Sequence, residues 1–217
     1  MAIKKTIRIK HHKDKVMKKM GLTVREHGKA IKFYKKFYEK GVTVKNALAL
    51  SLGIDFAKMK EEIKLAGLTA NRNGQLIFTV QASNKHLNNK YGHTKSNIAK
   101  KHYVHIEFDK EQLSKFIKEE KSTNDILLNT HFKYQCSCGR HSYWFRYLWT
   151  VINSSIGLQE NRFPRIRNRE LQGMLCKHGI RTMLFMQTPR FLGEFERYLV
   201  ALKEGKGFRT KNPFLLE

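Results

Sequence analysis

Nowhere do the 217 residues approach the roughly 18 consecutive apolar positions that a membrane-spanning helix needs. No basic amphipathic stretch with a strongly apolar face takes its place as a surface anchor. The opening MAIKKTIRIK lacks the apolar centre of a secretory signal. With 28% charged residues and a mean hydropathy of −0.55, these absences predict a soluble chain with no membrane partner, inside a cell (a host cytoplasm) or in a virion. Cysteine is also scarce. Three thiols, an odd number, argue against a disulfide framework and for a reducing compartment.

Acidic residues are few and scattered, and no carboxylate cluster, Walker loop, nucleophile elbow or histidine-rich metal motif is present. His86, His93, His102 and His105 are spread over a loop and a strand, and His102 and His105, three apart, face opposite sides of that strand. An enzyme is therefore not expected, and a metal-dependent nuclease is the least favoured of the functions considered.

Positive charge is abundant. Lys and Arg number 43 against 18 Asp and Glu, a net +25 with a pI of about 10.1. That excess is more than solubility requires and repels itself in a compact chain. Nucleic acid is the expected neutralising partner, DNA in preference to RNA. The densest clusters are Lys4, Lys5, Arg8 and Lys10 in a basic arm over residues 1–20, and Arg162, Arg165, Arg167 and Arg169 in a basic excursion over 160–172. Each cluster has a bland reading as well, a solvated tail and a solvated loop.

With 41% hydrophobic residues there is enough for a core, in one generous domain or two small ones. A capping-box pattern at Thr23–Glu26 opens a helix to about Lys40 with Ile31, Tyr34 and Phe37/Tyr38 at helical spacing, stopped by Gly41. Thr43 starts a second helix that Gly53 ends, and Asp55 caps a third to about Ala66. Strands are predicted at Gln75–Ala82, His102–Phe108 and His131–Cys136, separated by a basic loop over 83–101 and a helix from Asp109 to about Lys121. Residues 141–157 read as a helix rich in aromatics. Of these, Tyr143, Trp144, Phe145, Tyr147 and Trp149 are read as core before base-stacking platforms. A short helix follows His178, and Thr188-Pro189 opens the last, to about Glu204. The fold class is α+β: a helical N-terminal block (21–70), a small antiparallel sheet and a C-terminal ββα-like zinc finger with flanking helices, within an α+β region over 71–217. There is no internal repeat.

The chemistry-bearing pattern is Cys136-Ser137-Cys138 followed, after residues 139–175, by Cys176-Lys177-His178. Cys₃His is a closed structural ligand set for one tetrahedral Zn²⁺. A Cys-x-Cys at the end of a strand can turn both sulfurs to one point, with Gly139 permitting the bend. A Cys-x-His at a helix start aims two more ligands back, in a turn bracketed by Gly173 and Gly179. Other readings are a different fourth ligand, His131 or His141, or three core cysteines beside an unrelated histidine.

This pattern resembles the SWIM zinc finger, most closely in Gly173-Met174-Leu175-Cys176-Lys177-His178 at the entry to a helix. The resemblance covers about residues 129–187, well under half of the chain, and the connection is longer than is usual in the family. It implies a ββα-like zinc fold with Cys136, Cys138, Cys176 and His178 as ligands, and binding of nucleic acid or protein rather than catalysis. Two functions are thus expected in order: a zinc-stabilised protein that binds the phosphate backbone with little sequence readout, or a structural protein of a bacteriophage virion (capsid, head–tail or tail component) that contacts DNA or other subunits. The second rests on a lysine-rich make-up with three prolines, similar to that of small phage proteins.

Overall fold

A computed structural model describes residues 24–59, 63–81, 101–164 and 166–209. The basic arm with Lys4, Lys5, Arg8 and Lys10, the loop before Lys101, Arg165 and the tail from 210 lie outside the described residues.

Helix α1 (Val24–Tyr38) exposes Lys29, Lys32, Lys35 and Lys36 and seats Tyr34, whose hydroxyl donates to the Leu171 carbonyl at 2.8 Å. Ile31 and Tyr38 pack beside it, whereas Phe37, expected on the same stripe, remains 59% exposed. Helix α2 (Val44–Ala49) starts at Thr43, whose Oγ1 accepts from the Asn46 N–H. Gly53 opens α3 (Gly53–Met59) instead of ending α2, and Asp55 sits inside α3, buried, instead of capping it.

The helix expected to run from Asp55 to about Ala66 does not reach that far: Lys64–Ala70 forms strand β1. The cause is a β-bulge between Leu65 and Gly67. By inserting a residue it turns Leu65 and Leu68, three apart, to the same buried face. Three-residue apolar spacing in a sequence is then indistinguishable from helical periodicity.

Strands β2 (Gln75–Gln81), β3 (Lys101–Phe108), β4 (Phe132–Cys136) and β5 (Phe208–Arg209) complete an antiparallel sheet of order β4-β3-β2-β1-β5. One face is apolar apart from His102, with Leu76, Phe78, Val80, Val104, Ile106, Phe132 and Tyr134 all buried. Between β3 and β4 lie α4 (Lys110–Lys118) and α5 (Thr123–Asn129). Asp109 caps α4 by accepting from the Gln112 N–H, but Gln112 does not reach back: its Oε1 accepts from the His131 N–H. Helix α5 is absent from the expectations above. Its cap, Ser122 with Asp125 three residues on, carries Asp where the usual box has Glu or Gln.

After β4 a π-helical turn (His141–Phe145) leads into α6 (Arg146–Val151), which is shorter than expected and ends before Asn153 at φ 55°. An irregular segment leads to α7 (Lys177–Met186) and α8 (Pro189–Lys203), the latter capped by Thr188. Helix α8 covers the apolar face of the sheet through Phe78–Phe191 and Phe108–Phe195 ring contacts, with centroids 5.8 and 5.3 Å apart, and α7 meets β3 where His178 lies against His102. The outer edge of β4 is closed by bridges from Val42 to Phe132 and from Ser155 to Tyr134. The class is therefore α+β, with eight α-helices among the described residues. No helix among them is long and apolar enough to cross a membrane.

Candidate metal centre

Strand β4 ends at Cys136, and its antiparallel register places Cys136 against Val104, at the end of the sheet that α7 covers. The Ser137 N–H donates to the Tyr103 carbonyl at 3.0 Å, and the Tyr103 N–H donates to Ser137 Oγ at 2.9 Å. This extra rung holds the chain in line until it turns at Cys138. Gly139 is not the element that allows the turn: it has no positive φ, and a Cβ there would meet the Tyr143 ring at 3.7 Å, an ordinary contact. The π-turn closes it, with the Ser142 N–H donating to the Cys138 carbonyl at 3.1 Å and the His141 N–H to Cys138 Sγ at 3.4 Å.

From the other side, Cys176 is the N-cap of α7 and His178 lies in its first turn. Both bracketing glycines are required. Gly173 has φ +74°, and a Cβ on it would come within 2.7 Å of Leu52. A Cβ on Gly179 would strike the hydroxyl of Tyr134, which reaches past it to Cys176 Sγ at 3.5 Å.

The three sulfurs and His178 thus converge. Their ligand atoms all lie within 4.8 Å of one another, and all four residues are buried. His178 Nδ1 is 3.9 Å from both Cys136 Sγ and Cys176 Sγ. A tetrahedral ion with metal–sulfur bonds of about 2.3 Å separates its ligands by about 3.5–3.8 Å, so small side-chain movements close the shell. The arrangement is compatible with one metal-ion site on Cys136, Cys138, Cys176 and His178. It removes the reading of three cysteines scattered in the core. Of the alternative fourth ligands, His131 is engaged by Gln112 Nε2 at 2.8 Å, and His141 lies edge-on to Tyr134 with ring centroids 5.1 Å apart, outside the four-ligand group.

The electrostatics suit a cation. Burial opposes charge on Cys176, but hydrogen bonds from Cys136, Cys138 and His178 outweigh it and hold this thiol well below its ordinary pKa. Burial pushes Cys136 up, and its bonds with the other two cysteines push in the same direction. Burial also raises the Tyr134 hydroxyl, with the neighbouring sulfur charge adding to the shift. His141 falls to about 4 through burial, with Arg146 lowering it further against the opposing pull of Cys176. Both ring nitrogens of His141, and Nε2 of His178, lack a hydrogen-bond partner among the described residues. The His102 ring covers His178 with centroids 4.4 Å apart.

Of the residues expected to contact nucleic acid, Arg162, Arg167 and Arg169 lie among the described residues. The segment carrying them is neither strand nor helix. It is pinned at Asn168, which is 8% exposed at φ 52° and donates through Nδ2 to the Trp144 carbonyl at 2.7 Å. Arg167 and Arg169 project on either side of that pin, both exposed. Arg162 is exposed too but is held bidentate by Glu160 at 2.9 and 2.8 Å. In the aromatic segment the reading as core holds for Phe145 and Trp149, both fully buried, and fails for Tyr143, which is 68% exposed.

Sequence reasoning missed one residue that shapes the site. Asp55, buried in α3, takes both Nε and Nη2 of Arg140, two residues beyond Cys138. A lone Asp among helix-forming residues gives no sign of a partner 85 positions away. The chain matches no protein-family model, no curated protein and no solved structure.

Proposed function

We propose that this is a zinc-stabilised protein that binds nucleic acid, DNA foremost, through the phosphate backbone with little sequence readout. Zinc is the ion that best suits three thiolates and an imidazole in a closed, buried, four-ligand shell. Such a shell is of the structural kind, and metal binding then adds directly to folding free energy. The order of strand, Cys-x-Cys, connection, Cys-x-His and helix supports the SWIM-type resemblance.

The observation that carries the binding reading is the charge around this centre. Between Lys133 and Gln187 there are nine Lys and Arg and only two acidic residues, Glu160 and Glu170. Glu160 is occupied by Arg162, and Glu170 accepts from Gln172 Nε2. Asp55 and Glu107, from outside this stretch, pair with Arg140 and Lys133. The positive excess that remains favours phosphates as counterions, and release of their condensed cations then drives association.

Titration of random-sequence duplex DNA by fluorescence anisotropy over a salt series tests the reading. The expected result is affinity that falls steeply and linearly in log–log form as salt rises. Absence of binding at low salt by the metal-loaded protein overturns it.

A further inference from the structure

We propose that the metal-bearing knuckle also carries a stacking platform for single-stranded DNA, formed by Tyr143 and Tyr103 on its two flanks, with Arg167 placed for the phosphate. The inference rests on the nucleic-acid reading above and adds the form of DNA and the residues that hold its bases.

Tyr143 is the aromatic of its segment that the fold turns outward. Its neighbours have clear packing roles. Phe145 and Trp149 are fully buried, the Trp144 face lies under the Arg140 guanidinium at 3.6 Å, and Tyr147 packs edge-on to Phe163 with centroids 5.8 Å apart. In a regular helix Tyr143 and Tyr147, four apart, would share one face. The π-turn over His141–Phe145 breaks that periodicity and leaves Tyr143 at 68% exposure. Its ring stays beside the knuckle, 3.7 Å from the Cβ position of Gly139, and the Arg167 guanidinium lies 5.7 Å from the ring centroid.

On the other flank Tyr103 is 45% exposed, and its backbone is tied in both directions to Ser137, the exposed residue between the two knuckle cysteines. Tyr103 by its backbone and Tyr143 by the position of its ring beside Gly139 are therefore tied to the four-residue turn Cys136–Gly139, whose position the metal ligands set. Rigid, exposed aromatic faces with a cation beside them recognise unpaired bases, because every base has a π-face and a duplex hides it. Phosphate attraction alone needs neither tyrosine.

The test uses full-length, metal-loaded protein with two fluorescein-labelled probes of equal length, oligo-dT and a random-sequence duplex. Metal content is measured for every variant. Tyr143→Ala is expected to lower oligo-dT affinity about tenfold while duplex affinity stays within about twofold, and Tyr143→Phe to retain the oligo-dT affinity. Tyr103→Ala is expected to act in the same direction, and Arg167→Gln to weaken both probes. If duplex binding is salt-dependent and neither alanine variant weakens oligo-dT binding, the platform is wrong and the phosphate reading stands. Equal losses on both probes also overturn the platform, since stacking on unpaired bases is specific to the single strand. Failure of the wild-type protein to bind either probe overturns both readings.

Discussion

The carboxylate of Asp55, 1% exposed in α3, grips Arg140 by two parallel bonds of 3.0 and 2.7 Å, and the same guanidinium lies 3.6 Å over the Trp144 ring. Through it the N-terminal helices hold the π-turn, and so the exit of the knuckle, in place. Removing one partner of such a pair leaves a charge without its counterion in a mostly buried setting. Asp55→Asn should cost about 3 kcal/mol in urea denaturation. Arg140→Lys should not substitute, because a point charge on a flexible stem neither bridges both oxygens nor stacks on the indole. Wild-type stability of Asp55→Asn would show that the pair contributes nothing net.

Metal content should respond to each ligand. Cys138→Ser is expected to release the ion and loosen the region around β4, α6 and α7, read by elemental analysis and by fluorescence of Trp149, which is buried and donates to the Met174 carbonyl at 2.8 Å. A chelator added to the wild-type protein should give the same fluorescence change. Retention of stoichiometric metal by Cys138→Ser would contradict the ligand assignment.

Gly179 and Tyr134 should behave as a coupled pair. Gly179→Ala places a methyl against the Tyr134 hydroxyl and should destabilise by about 1–3 kcal/mol as overpacking. Tyr134→Phe removes the oxygen in that position, so the double variant should be more stable than the sum of the single losses implies. Strict additivity would mean that the two side chains do not compete for the same space.

Replacing Arg162, Arg165, Arg167 and Arg169 by Gln should flatten the salt dependence of duplex binding, at about 0.9 in log–log slope per lost phosphate contact. Since Arg162 is held by Glu160, Arg162→Gln alone should leave most of the slope in place. An unchanged slope in the fourfold variant would remove this segment from the interface.

What could be read without coordinates is what local chemistry encodes. The alternation in Gln75–Gln81 and Lys101–Phe108, the caps at Thr43, Asp109 and Thr188, and the spacing Cys136-x-Cys138 with Cys176-x-His178 each lie within a few neighbouring residues. Pattern and partner were legible together there, and the α+β class followed. Strand β1 was not legible, because its bulge gives a strand the apolar spacing of a helix. Neither was α5, whose cap departs from the usual residue at its third position. Only the tertiary structure could bring four ligands from two distant segments within 4.8 Å, join Asp55 to Arg140, and turn Tyr143 outward while burying Phe145 and Trp149. Those outcomes depend on which surfaces meet when the helices close over the sheet, and a meeting of surfaces leaves no local periodicity along the chain.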